Sequence, residues 1–141
     1  MFYFFVVDLK KQLHSIMYLD NQLDPVFKSD LEKVSFEFAI NMRIICKELQ
    51  TLKDFNTSGQ LERASSSVGA NICESTFGAS RKDFINKLRI ASKEASECAY
   101  WMSLLKQSGS DKITPDILRQ LQRIQMMLNK SIATAVRNNP E

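Results

Sequence analysis

Between residues 30 and 137, apolar positions recur every three or four residues in four blocks, the spacing that gathers side chains on one face of an α-helix. The first block follows Pro25 and a polar start at Ser29-Asp30. Its recurring positions are Leu31, Val34, Phe38, Met42, Ile45, Leu49 and Leu52, and it is expected to end near Asp54-Phe55-Asn56. The second is expected to open at Thr57 or Ser58, with Thr57 and Gln60 as a capping box that satisfies the first unpaired backbone N–H groups. Its inward stripe is made of small and polar residues: Ala64, Ser67, Val68, Asn71 and Ser75, with Leu61 and Ile72 alongside. Small side chains let a neighbouring helix approach closely, which would offset the cost of Gly69 in mid-helix, about 1 kcal/mol relative to Ala.

The third block opens on Ser80 as N-cap, with Asp83 near the positive end of the helix dipole. Phe84, Leu88, Ala91, Ala95, Cys98, Met102 and Leu105 then step by alternating fours and threes up to Ser108-Gly109, an unbroken seam of the kind that packs against other helices. The fourth begins with Thr114-Pro115-Asp116, an N-cap followed by proline in the first turn and an acid beside it. Its seam is Ile117, Leu121, Ile124, Leu128, Ile132 and Ala135. No stretch alternates with period two for long enough to make a strand, and short links force successive helices to run antiparallel. The expected fold is all-α, an antiparallel up-down four-helix bundle over 30–137. It would be preceded by an N-terminal extension over 1–29, irregular or with a short helix, and followed by a tail over 138–141.

Composition agrees with one helical domain. The chain has 141 residues, 44% of them apolar and 25% charged, with only four Gly and three Pro, enough to bury a core without disulfides or metals. Cys46, Cys73 and Cys98 are odd in number and lack a Cys-x-x-Cys pair. They read as buried thiols of a reducing compartment. The opening Met1-Phe2-Tyr3-Phe4-Phe5-Val6-Val7 is too short to span a bilayer and lacks the basic flank and cleavage site of a signal peptide, so a cytoplasmic location without membrane contact is expected. That segment packs on the bundle, joins an interface, or reflects the choice of start codon, with Met17 as the alternative start.

Charge is divided unevenly. Residues 1–80 carry 8 Lys/Arg against 10 Asp/Glu, whereas residues 81–137 carry 11 against 5. The basic half is read either as a solvated face or as a surface for an anionic partner. On the third helix Arg81, Lys82, Lys87, Arg89 and Lys93 lie away from the seam. On the fourth, Arg119, Arg123, Lys130 and Arg137 follow one side. Together they could track a phosphate backbone. Phe84 is expected to point inward and Tyr100-Trp101 to lie near the far end, so such binding would be backbone-dominated and salt-sensitive.

Catalytic constellations are missing from the sequence. His14 is the only histidine, so a His-dependent triad would have to be built from that residue alone, and no paired Glu-x-x-His of a di-iron bundle and no Cys/His zinc cluster occur. No GxxxxGK[ST] or GxGxxG phosphate loop occurs. Glu62, Glu74, Glu94 and Glu97 are read as ion-pair partners. The chain is therefore expected not to be an enzyme and to hold no cofactor or metal. Arg63, Asn71 and Glu74 fall close to one face of the second helix, either as a buried polar network that fixes helix register or as a ligand or partner contact.

The run from Gln60-Leu61-Glu62-Arg63-Ala64 through Val68-Gly69-Ala70-Asn71-Ile72-Cys73-Glu74-Ser75 resembles the second helix of the bacterial-type four-helix bundle proteins encoded in 23S rRNA intervening sequences. Lys82-Asp83-Phe84, Leu88-Arg89-Ile90-Ala91, Glu94 and Glu97 resemble that family's third helix, and the similarity covers roughly residues 30–135. Cys73 and Ser75 stand where the family more often has Ala and Gly, and Glu62 where it more often has a basic or apolar residue. The resemblance implies an antiparallel four-helix bundle with no established catalytic activity, assembled into a ring-shaped homo-oligomer, a pentamer. The family's association with rRNA insertions, and its likeness to accessory proteins of diversity-generating retroelements, imply a nucleic-acid partner. Two functions follow as expectations: an oligomeric bundle that binds RNA or DNA through the basic faces of its third and fourth helices, or a protein–protein interaction module or scaffold with no nucleic-acid binding.

Overall fold

The computed structural model describes residues 25–138, and every regular element among them is an α-helix. Helix α1 runs Asp30–Thr51, α2 Phe55–Ser75, α3 Arg81–Gln107 and α4 Pro115–Arg137. Backbones approach one another only between α1 and α2, α2 and α3, α3 and α4, and α4 and α1, so the four helices close a square. Links of three to seven residues reverse the chain each time, giving the up-down arrangement.

Side-chain caps begin each helix. Ser29 accepts from the Glu32 N–H at 3.2 Å, and the Glu32 carboxylate accepts from the Lys28 N–H at 2.6 Å, so two backbone donors at the helix start are satisfied. Ser80 accepts from the Asp83 N–H at 3.1 Å. Thr114 accepts from the Ile117 N–H, with Pro115 in the first turn. The second helix departs from expectation. It starts at Phe55, and its cap is Asp54, whose carboxylate accepts from the Thr57 N–H at 3.2 Å. Thr57 is inside the helix and buried. The link is short because α1 stops at Thr51 and Lys53 turns the chain with a left-handed φ of 62°.

Phe38, Met42, Leu61, Val68, Leu88, Met102, Ile124 and Leu128 are sealed in the centre, and Ala64, Ala91 and Ala95 are fully buried with them. Helix α2, rich in small residues, lies closest to its neighbours, whereas the α1–α4 seam is the sparsest. Several stripe positions shift by one residue. Ser35 and Cys46 take buried places beside half-buried Val34 and Ile45, Leu52 is 65% exposed, and Ile85 is buried next to half-buried Phe84. On α2, Ser65 is buried while Ser67 and Asn71 are half-buried. Buried Ser35 and Ser65 satisfy their hydroxyls by donating back to the Glu32 and Glu62 carbonyls, at 2.8 and 3.2 Å, which lets small polar residues enter the core.

Candidate nucleic-acid interface

Basic side chains proposed from sequence all reach the surface: Arg81, Lys82, Arg89 and Lys93 on α3, and Arg119, Arg123, Lys130 and Arg137 on α4. Two are already engaged. Arg81 turns toward α4 and donates to the Asn138 carbonyl at 2.9 Å, where a cation complements the negative end of the helix dipole. Arg119 pairs with Asp116 one turn earlier. For Lys82, Arg89, Lys93, Arg123, Lys130 and Arg137, no carboxylate lies in ion-pair range among the described residues. Arg81 and Lys130 line one cleft at the start of α3 and the end of α4, with Phe84 and Thr134 in its walls.

Ion pairs between helices lie elsewhere among the described residues. Along the α2–α3 seam Arg63 bridges Glu97 and Glu94, the second at 3.3 Å, and Lys87 pairs with Glu74. Arg43 meets Glu62 at 3.6 Å between α1 and α2, and Lys112 meets Glu48 at 3.1 Å. Hydrogen bonding to Glu97 holds the Arg63 guanidinium above its ordinary range, and the same bond holds the Glu97 carboxyl below its own. Glu74 likewise raises the Lys87 ammonium.

Arg63, Asn71 and Glu74 therefore do not bond to one another. Asn71 donates to the Ser67 carbonyl at 2.8 Å within its own helix, and the other two reach separate partners on α3. Arg63 and Glu74 form two rungs of one antiparallel register between α2 and α3, at the edge of the core, where water screens them.

Sequence reasoning missed three features. Tyr100, assigned to the far end, is 62% exposed and falls seven residues beyond Lys93 on the same outward line of α3. Phe36, Ile40 and Ile44, each one turn apart, are exposed on the outside of α1, and Phe27 packs on Phe36 with ring centroids 5.4 Å apart. Their four-residue period was visible but ran parallel to the stronger buried seam. The third is Cys73, which is exposed, while Cys46 and Cys98 are buried. Burial pushes the Cys46 thiol up to about 11 and the Cys98 thiol to about 12.

Among the described residues, no group of three or more His, Cys, Asp or Glu is placed to hold a metal ion, and no helix is long and apolar enough to cross a membrane. His14 and the apolar opening segment lie outside the described residues.

Fold and surface together define a class: an antiparallel four-helix bundle with small residues on its second helix and exposed basic side chains along its third and fourth. The model of the 23S rRNA-intervening sequence protein family matches residues 28–130, and the chain belongs to that family. It is similar to a protein of unknown function from the S23 ribosomal protein family of Bacteroides thetaiotaomicron, whose crystal structure is at 1.70 Å resolution. The two are 37% identical with a TM-score of 0.69, over 72% of this chain and 97% of the other. No curated protein matches the chain.

Proposed function

We propose that this chain is a non-enzymatic cytoplasmic bundle that assembles with copies of itself and binds RNA or DNA through phosphate contacts on the basic faces of α3 and α4. The observation that carries this reading is the set of exposed cations, Lys82, Arg89, Lys93, Arg123, Lys130 and Arg137, without carboxylate partners among the described residues on two adjacent helices. Phosphates would take the place of those missing partners and release counterions in doing so. A ring, a pentamer as the family resemblance implies, would multiply a weak patch by raising its effective concentration.

Binding of a mixed-sequence structured RNA, measured at two salt concentrations, tests the reading. If about six phosphates are contacted, the log–log slope of affinity against salt is expected near −4 to −5. Arg89→Glu combined with Arg123→Glu should weaken binding and flatten the slope. Affinity indifferent to both salt and charge reversal would refute the reading.

A protein-interaction module is the second reading, favoured by the exposed Phe36–Ile40–Ile44 stripe on α1. A solvent-facing apolar row on an otherwise polar helix face is typical of a contact surface. Light scattering and RNA binding of the unaltered chain and of Ile40→Lys are the test: assembly lost in Ile40→Lys, with RNA bound by neither protein, would favour this reading over the first.

A further inference from the structure

We propose that the outward line of α3 takes an unpaired stretch of a nucleic-acid strand, with Tyr100 as the platform on which one base stacks; this rests on the nucleic-acid reading above. Lys82, Arg89, Lys93 and Tyr100 follow one another at intervals of seven, four and seven residues, which keeps all four on one side of the helix. At 1.5 Å per residue the line is about 27 Å long, with Tyr100 about 10 Å beyond Lys93. Each of the four is exposed, and they lie opposite the seam that α3 buries.

Tyr100 is held from one side only. The ring of Trp101 meets it edge-on, with centroids 5.2 Å apart and planes at 78°. Trp101 is half-buried, and its indole N–H donates to the Glu97 carboxylate at 3.4 Å. Glu97 is fixed in turn by Arg63 from α2. The chain Arg63–Glu97–Trp101 thus buttresses one edge of the tyrosine while most of the ring is left to solvent. Exposed Leu104, one turn further, extends the apolar surface beside it.

A row of cations ending in an accessible aromatic ring matches an unpaired strand better than a duplex. The cations take successive phosphates, and the ring takes the π-face that every base offers, whatever its sequence. A duplex keeps its bases stacked inside and presents mainly phosphate and sugar to a helix surface. It would satisfy the cations and leave Tyr100 without a partner.

The test uses the full chain with labelled oligo(A), oligo(U) and their annealed duplex at low salt, comparing the unaltered protein with Tyr100→Phe and Tyr100→Ala. Circular dichroism and light scattering on the same samples report helicity and mass. The expected result is tighter binding of both single strands than of the duplex. Tyr100→Ala should lose about tenfold or more in single-strand affinity with duplex binding unchanged, and Tyr100→Phe should keep it. Single-strand affinity unmoved by Tyr100→Ala overturns the inference while the phosphate-binding reading stands. A change in mass with unchanged affinity also overturns it, because the ring is then a protein contact. Failure of every probe to bind overturns both readings.

Discussion

The Asn41 side-chain amide on α1 donates to the side-chain carbonyl of Gln120 on α4 at 3.0 Å, across the sparsest seam of the bundle. Around this bond the two helices leave an open groove of about 400 Å³, lined by Ile44, Ile45, Ile117, Glu48, Lys112 and Asp116. A single half-buried amide pair is worth about 1 kcal/mol or less. Asn41→Ala should therefore change global stability little, yet raise amide hydrogen exchange in the first turns of α4. Equal protection in the two proteins would show that the seam does not depend on this bond.

Close helix packing was expected to offset the cost of Gly69, and the structure shows room for a methyl group at this position. A methyl group there would sit 3.7 Å from the Ser35 carbonyl oxygen and hydroxyl, ordinary contact distance. Gly69→Ala should raise stability by about 0.5–1 kcal/mol through backbone entropy and helix propensity. Gly69→Leu should lower it by driving α1 away. Urea unfolding of both variants reads the two signs, and a loss in Gly69→Ala would contradict the 3.7 Å clearance.

Thiol reactivity should divide the cysteines. At neutral pH a thiol reagent should modify Cys73 quickly, and Cys46 and Cys98 only after unfolding, since both are buried and their thiols are held to about 11 and about 12. Both native values exceed the ordinary value of 9.0. Below that value both states keep their protons and stability is unaffected. Above it the unfolded chain ionises first, so stability should fall as pH rises from about 9 toward 11–12. Cys98→Ala would remove part of this alkaline slope; an unchanged slope would exclude the thiol as its source.

Glu97 gives the opposite pH dependence. Its carboxyl is held low by Arg63, so its contribution is present above the ordinary carboxylate range and is lost as pH falls through the lowered native value. Acid titration of Glu97→Gln followed by circular dichroism should show a shallower loss of stability than the unaltered chain. With Glu97 a third exposed, the difference should be small and should shrink further at high salt. Identical acid titrations would mean that ionisation of Glu97 contributes nothing to folding.

Legibility of the sequence followed the strength of local signals. The seams of α3 and α4 could be read because their apolar spacing is regular and their caps, Ser80 and Thr114-Pro115, are of the strongest kinds. The α1–α2 turn was misread for a physical reason. The residue that turns the chain is Lys53, whereas glycine is the usual left-handed stop signal, so Asp54 looked like the end of one helix and not the cap of the next. Ser35 and Ser65 were missed as buried residues because a hydroxyl that returns its proton to a preceding carbonyl is invisible to a hydrophobic pattern. In the candidate interface, outward placement of the basic residues was legible from their offset to the seam. The pairing of Arg81 with Asn138 was not, since it depends on where α4 ends beside the start of α3.

Helix α4 is seated mainly along one edge, against α3, with little holding it to α1. It also carries Arg123, Lys130 and Arg137, which a phosphate chain crossing from α3 would reach. A ligand laid over both helices would act as an external clasp on the loosest joint of the molecule. By linkage, the free energy gained on closing that joint would be shared with the free energy of binding. Substitutions that tighten the α1–α4 groove would then strengthen binding from the far side of the bundle, without touching the ligand.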